Sequence, residues 1–277
     1  MPHHDTTKIN ALLQRGGAAA AGRVAWFESI DSTNTWLMNQ TDAHARVCIA
    51  EWQSAGRGRR GRAWRTPRCG AVLLSIGWNL DGAAGGAAGL SLVSGLAALD
   101  ALRRLGVDAI GLKWPNDILA RGRKLGGILT ELNGDRCVIG MGVNVAPESS
   151  PESLPESSPE LQESPAAADE TPRTDLHSLG FGVDRDQLAA ELILAHCDYL
   201  RRFCATGLAA FVDQWNAAHA YRGRAVTVRL GAESFRGIAR GIDADGALLI
   251  DVCEPGGARR RILSGEARVR PLEAVSP

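Results

Sequence analysis

Apolar positions along the first half of the chain follow two periods, and the switches between them mark out elements. Residues 25–28 and 46–52 carry short apolar runs of strand length. Residues 70–78 hold Ala71, Val72, Leu73, Leu74 and Ile76 with Ser75 as the one polar break, the pattern of a strand covered on both faces. Residues 110–114, 124–132 and 136–144 predict three more strands. Between them, Leu92, Leu96, Leu99 and Leu102 recur at helical spacing over 89–105, and Gly106 follows as a stop. Asp31, Ser32, Thr33 and Asn34 offer cap oxygens for a short helix reaching about residue 40. Helical patterning returns over 184–203 and 208–220. From Tyr221 the texture changes. Val226, Val228 and Leu230 alternate with polar residues, a turn is expected over 241–246, and residues 247–252 and 267–269 read as further short strands. The pattern therefore predicts an N-terminal tail, 1–21, an α/β main domain, 22–220, and a small β-barrel-like module, 221–273.

Composition changes that picture in one place. Residues 147–175 read as a low-complexity, flexible insertion; over 147–165 nearly every residue is Pro, Glu or Ser, with a four-residue repeat starting at Pro147, Pro151 and Pro155. Five glutamates and no base fall in 147–165, so a chain of net charge 0 has a body of 0 − (−5) = +5. That mild excess does not suggest a dedicated nucleic-acid binder. No apolar run approaches the ~18 residues needed to span a bilayer. Met1-Pro2-His3-His4-Asp5 does not open a secretory signal. A cytoplasmic protein with no membrane partner is expected. Cysteines at 48, 69, 137, 197, 204 and 253 form no C-x-x-C pair, which argues against zinc ribbons and thioredoxin-like chemistry; most are expected to be reduced and buried.

Three constellations could carry chemistry. In Gly56-Arg57-Gly58-Arg59-Arg60-Gly61-Arg62-Ala63-Trp64, glycines let backbone N–H groups approach an anion, and arginines add forked, permanent positive charge. Such a run can be a solvated loop, a nucleic-acid segment or a phosphate-binding lid that orders over an anion. Its place between two apolar strands favours the lid, and no Gly-Lys-Ser/Thr makes it a Walker loop. The second is Lys113-Trp114-Pro115-Asn116-Asp117 followed by Arg123-Lys124-Leu125-Gly126-Gly127. In a paired hairpin Asp117 and Lys124 approach each other, either as a surface salt bridge or with the lysine neutralising a reacting carboxylate or α-phosphate. The third, Gly140-Met141-Gly142-Val143-Asn144, is a strand end with glycines for close packing.

Taken in order, Asp31–Asn34, Gln53, the Arg-Gly loop through Trp64, Lys113–Asp117, Lys124–Leu129 and Gly140–Asn144 resemble the bacterial biotin–protein ligases, in the form without an N-terminal DNA-binding domain. The resemblance covers roughly residues 25–146, and the strands ending Ser264-Gly265-Glu266-Ala267-Arg268 resemble the family's SH3-like domain. It implies a mixed-sheet catalytic domain of the biotin/lipoate ligase fold. The implied reaction joins biotin and ATP, with Mg²⁺ carried on the phosphates, into biotinyl-5′-AMP. Biotin then passes to one lysine of the biotin carrier domain of acetyl-CoA carboxylase or another biotin-dependent carboxylase. By the same resemblance, Ser32, Thr33, Asn34, Gln53, Arg57, Gly58, Arg59, Lys124, Gly127 and Gly140 bind biotin. Arg59, Arg60, Arg62, Trp64, Asn116 and Asn144 bind ATP or the adenylate, and Arg57, Arg59, Lys124 and Asp117 are catalytic. Asp117 is left either orienting Lys124 or approaching the metal. About thirty residues precede Asp31, so sequence-specific DNA binding is not expected; a homodimer is compatible with the family. The alternatives are a lipoate–protein ligase-like acyltransferase and a non-catalytic biotin- or nucleic-acid-binding protein.

Overall fold

The computed structural model describes residues 3–84, 86–146, 171–254, 257–263 and 267–272. Seven strands form the main sheet: β1 (Val24–Phe27), β2 (Val47–Ala50), β3 (Ala71–Asn79), β4 (Ile110–Lys113), β5 (Asp117–Ala120), β6 (Arg123–Asn133) and β7 (Arg136–Asn144). Their order is β1-β2-β3-β7-β6-β5-β4, with β1 and β2 parallel and every other neighbour antiparallel. The fold is thus α/β with a mixed sheet.

Strand alternation divides the sheet into two faces with different jobs. Val47, Ile49, Leu74, Ile76, Cys137, Ile139 and Met141 point into the large core, where α3 (Leu90–Arg104) and α4 (Arg185–Thr206) cover them. The intervening positions point the other way. There Cys48 and Val138 meet Leu37 of α2 (Thr33–Met38) in a separate small cluster. Ser75, Gly140 and Gly142 lie on this second face, so the strand that looks doubly apolar in sequence turns its one polar residue toward α2.

Two segments differ from expectation. The tail 1–21 contains α1 (Thr6–Arg15), capped by Asp5, whose carboxylate accepts from Thr7 N (2.9 Å) and Lys8 N (3.2 Å). Ile9 and Leu13, one helical turn apart, are fully buried against the main core. Two apolar anchors in a polar ten-residue helix give too weak a period to read from sequence. Second, residues 171–175, assigned to the insertion, pair with the main sheet: Lys124 N donates to Pro172 O (2.7 Å) and Thr174 N to Lys124 O (3.0 Å). Residues 147–170 lie outside the described residues.

A 3₁₀ turn (Leu208–Phe211) and α5 (Val212–Ala218) lead to a second, antiparallel sheet of β8 (Ala225–Leu230), β9 (Glu233–Ile242), β10 (Leu248–Val252), β11 (Arg259–Ile262) and β12 (Ala267–Pro271), in the order β11-β10-β9-β8-β12. Asn216 joins the two parts, accepting from Ile242 N (2.6 Å) and donating to Ile242 O (3.1 Å). Trp114 Nε1 donates to Gly246 O (3.0 Å). Cys48, Cys137 and Cys197 are buried, Cys69 and Cys204 half-buried and Cys253 exposed; all six are free thiols.

Candidate active site

A single cleft on the α2 face is lined by all three constellations. Its floor is neutral and polar. Ser32 caps α2, accepting from Thr35 N (3.4 Å), which leaves Thr33 and Asn34 at the helix mouth. Thr33 N donates to Gln53 Oε1 (2.8 Å), and Thr33 Oγ1 lies 2.7 Å from Ser75 Oγ. Ser75 Oγ is 2.6 Å from Asn34 Oδ1, while Asn34 Nδ2 donates to Glu131 Oε2 (2.7 Å). Position 140 admits only glycine, because a Cβ there would overlap Asn34 Oδ1. The glycine of β7 makes room for this buried amide.

The Arg-Gly loop folds over the floor as a small hairpin. Trp64 N donates to Gly56 O (2.8 Å) and Gly58 N to Arg62 O (2.7 Å), with Arg57 bridged to Ala63. Arg60 at its tip takes a left-handed conformation, φ 60°. Arg57 leans back onto Glu131 (2.9 and 3.1 Å). Arg59 is half-buried with its guanidinium 3.5 Å from Asn116 Oδ1; burial, and then Arg60 beside it, lower its pKa. The Trp64 indole lies over Gly142, where a Cβ would come within 2.6 Å of the ring, and against Gly127. Lys124 Nζ sits 5.2 Å and the Arg173 guanidinium 5.7 Å from that ring.

The far wall is cationic. Lys124 Nζ is 2.6 Å from Asp117 Oδ1, and Lys113 Nζ is 3.7 Å from Asp117 Oδ2. Lys113 is 6% exposed and also donates to Thr171 Oγ1 (2.7 Å). Burial, only partly offset by Asp117, pushes its pKa down to about 8. Arg268 and Arg270 of β12 complete the wall, so the second sheet contributes to the site. Among the described lining residues, nine lysines and arginines face one carboxylate, Asp117. An anionic reactant fits such a cleft; a carboxylate cage for a divalent cation is not available in it.

Residues 26–144 match the Biotin/lipoate A/B protein ligase family, and residues 222–270 match the Biotin protein ligase C terminal domain. Over 264 residues the chain is 37% identical to the Bifunctional ligase/repressor BirA of Escherichia coli, covering 93% of this chain and 77% of that protein. The chain belongs to the biotin protein ligase family. The Biotin--[acetyl-CoA-carboxylase] ligase of Mycobacterium tuberculosis is 36% identical over 242 residues, 80% of each chain. Among solved structures, the biotin protein ligase of Aquifex aeolicus in complex with biotin and ATP superposes with a TM-score of 0.75 at 27% identity, covering 90% of this chain and 99% of that one.

Of the positions that the biotin protein ligase resemblance implies, Ser32, Thr33, Asn34, Gln53, Arg57, Gly58, Arg59, Arg60, Arg62, Trp64, Asn116, Asp117, Lys124, Gly127 and Gly140 all line this cleft. Asn144 does not. It lines a neighbouring depression with Arg65 and Thr174, and its amide donates to Thr174 O (3.0 Å). Arg173 borders both spaces. Asn34 lines the cleft, but its amide is engaged at both ends. Asp117 faces two lysines, which is the arrangement of an orienting group. Sequence reasoning gave no role to Ser75, Glu131, Lys113, Thr171, Arg173, Arg268 or Arg270. Ser75 is legible in retrospect as the lone hydroxyl in an apolar strand. Lys113 stands in a motif already singled out. The others reach the site only through sheet pairing and domain packing.

Proposed function

We propose that this chain is an ATP-dependent biotin–protein ligase that makes biotinyl-5′-AMP and passes the biotinyl group to a lysine of a carboxylase carrier domain. The supporting observation is that one cleft joins a neutral polar floor to a strongly cationic wall. A ureido ring presents N–H donors and a C=O acceptor, and Ser32, Thr33 and Gln53 supply short partners for both. A dithiolane ring offers neither, so a lipoyl group would leave those buried polar atoms unpaired; this favours biotin over lipoate. Leu73 and Leu129, on the cleft face of the sheet, offer apolar surface to an alkyl chain.

In the first step an oxygen of the biotin carboxylate attacks the α-phosphorus of ATP. The bond to the β-phosphate oxygen breaks, pyrophosphate leaves and a mixed anhydride remains. Both reactants are anions, so charge neutralisation is the main catalytic requirement. Lys124, aimed by Asp117, acts at the reacting carboxylate and α-phosphate, and Arg57 and Arg59 act from the loop. Arg59, Arg60, Arg62 and Asn116 face the nucleotide, with Trp64 offering its ring to the base and Asn144 behind it. Asp117 is shared between two lysines, so magnesium would be brought by ATP as its counter-ion and would supply further charge neutralisation. In the second step the ε-amine of the carrier lysine attacks the acyl carbon, AMP leaves and the amine loses a proton. The folded loop excludes water from the anhydride in between.

Relatives named as biotin--[acetyl-CoA-carboxylase] ligases make the carrier domain of acetyl-CoA carboxylase the acceptor of choice. No helix among the described residues is long and apolar enough to cross a membrane. The test is transfer of labelled biotin to that carrier domain. Label that requires ATP and magnesium and is absent from a carrier with its target lysine changed to arginine is expected. Equal labelling of both carriers, or none of either, contradicts the assignment.

A further inference from the structure

The polar floor contains a chain of contacts whose proton order is set from the Glu131 end. Asn34 Nδ2 faces Glu131 Oε2 at 2.7 Å and Leu129 O at 3.4 Å, two acceptors, so the amide cannot be turned round without setting its oxygen against a carboxylate. Arg57 lies on the same carboxylate at 2.9 Å. Asn34 Oδ1 therefore faces Ser75, and since an amide oxygen only accepts, Ser75 Oγ donates to it across 2.6 Å. That spends the single Ser75 proton. The Thr33 hydroxyl has two acceptors in reach, Ser75 Oγ at 2.7 Å and Gln53 Oε1 at 3.1 Å; the shorter contact takes the proton, because otherwise two hydroxyl lone pairs would face each other across 2.7 Å. With its proton committed, Thr33 Oγ1 turns lone pairs toward the cleft. Gln53 Oε1 is held by the Thr33 backbone N–H at 2.8 Å and leaves its NH₂ as a donor. Thr33, Asn34 and Ser75 are 4%, 4% and 0% exposed, so water does not scramble this order.

We propose that Glu131, acting through Asn34 and Ser75, is a positioning residue that sets Thr33 as a hydrogen-bond acceptor for a ureido N–H. Glu131 touches no reacting atom; it fixes the donor–acceptor polarity of a group that does touch the ligand. Without its charge, Asn34 can rotate by half a turn, its NH₂ then donates to Ser75, and the hydroxyl protons of Ser75 and Thr33 are released to point either way. The floor would accept and repel an N–H in comparable proportions. The inference rests on biotin as the ligand.

The experiment measures binding of biotin, and of biotin methylated at either ureido nitrogen, to wild-type protein, Glu131→Gln and Ser75→Ala. Wild type is expected to bind biotin and to lose roughly tenfold or more when the nitrogen facing Thr33 is methylated. In Glu131→Gln and in Ser75→Ala, biotin is expected to weaken by about tenfold, with kcat of adenylation changed far less than KM. The penalty for methylation should shrink in both variants, because the bond it removes is no longer reliably made. A merely structural loss would weaken biotin and its methyl derivatives alike. Wild type that binds biotin but shows the same methylation penalty as both variants overturns the polarity assignment alone. Wild type indifferent to biotin overturns the ligase reading as well. Ser75→Ala, which removes one buried oxygen without touching the Arg57–Glu131 pair, keeps the test valid if Glu131→Gln fails to fold.

Discussion

Three charged side chains set the chemistry of the cleft, and each makes a separable prediction. Lys124→Gln removes a charge that Asp117 aims, and loss of a charge-assisted contact at the reacting groups is worth about two powers of ten. Adenylation measured by pyrophosphate exchange should fall about 100-fold, while biotin affinity, set by the polar floor, changes little. Arg59→Ala should release biotinyl-AMP faster with nearly unchanged biotin affinity, because the half-buried guanidinium acts on the charged intermediate; stopped-flow release rates check this. Lys113 adds a pH signature. Its pKa is lowered to about 8, so the free enzyme loses this positive charge as pH rises through that value. The kcat/KM for ATP should decline above about pH 8, and Lys113→Met should lower it at neutral pH and flatten the decline. An undiminished decline in that variant would assign the titration elsewhere.

The elements carry the site because alternation on β3 and β7 puts bulk on one face and small or polar groups on the other. Gly142→Ala would push a methyl into the Trp64 ring. Weaker adenylate retention and a changed tryptophan emission are expected, and unaltered emission would contradict the packing. On the opposite face, Leu13→Ala in α1 opens a hole in a fully buried position and should cost about 2–4 kcal/mol, measured by denaturant unfolding. Most strands and all the helices with strong periods were legible in the sequence, since Leu92, Leu96, Leu99 and Leu102 leave little choice. Elements with few apolar anchors were not. α1 shows only Ile9 and Leu13, β5 is four residues in a stretch between two expected strands, and Arg-rich β11 is held by ion pairs such as Arg260 with Glu233. The site was legible where residue types are themselves diagnostic, as in the Arg-Gly loop and the Asp117–Lys124 hairpin. Glu131 and Thr171 join it through register and chain return, which no local pattern encodes.

At the scale of the whole molecule, one hydrophobic core runs from α1 to the C-terminal sheet, and buried ionisable groups set its response to acid. His196 and His219 are buried in neutral form, with burial lowering each pKa from 6.5 to about 4. A depressed basic pKa means that the unfolded chain takes up protons the folded chain refuses. Stability should therefore fall as pH drops from 6.5 toward 4, each histidine contributing about 1.4 kcal/mol per pH unit in that window. For Glu51, burial acts upward, but Arg185 at 2.6 Å and His4 N hold the pKa down to about 2. Its contribution is present above pH 4.5 and is lost as pH falls from there toward 2. Melting temperature against pH checks both windows; a flat curve between 6.5 and 4 would contradict the neutral histidines.

The central claim is that a cationic loop and Lys124 allow two anions to be joined in one cleft. Biotin-dependent exchange of labelled pyrophosphate into ATP tests it most directly. Wild-type protein should exchange only when biotin is present, and a variant with Arg57, Arg59, Arg62 and Lys124 all neutralised, verified as folded, should exchange at least a thousandfold more slowly. Exchange at the wild-type rate in that variant would contradict the account.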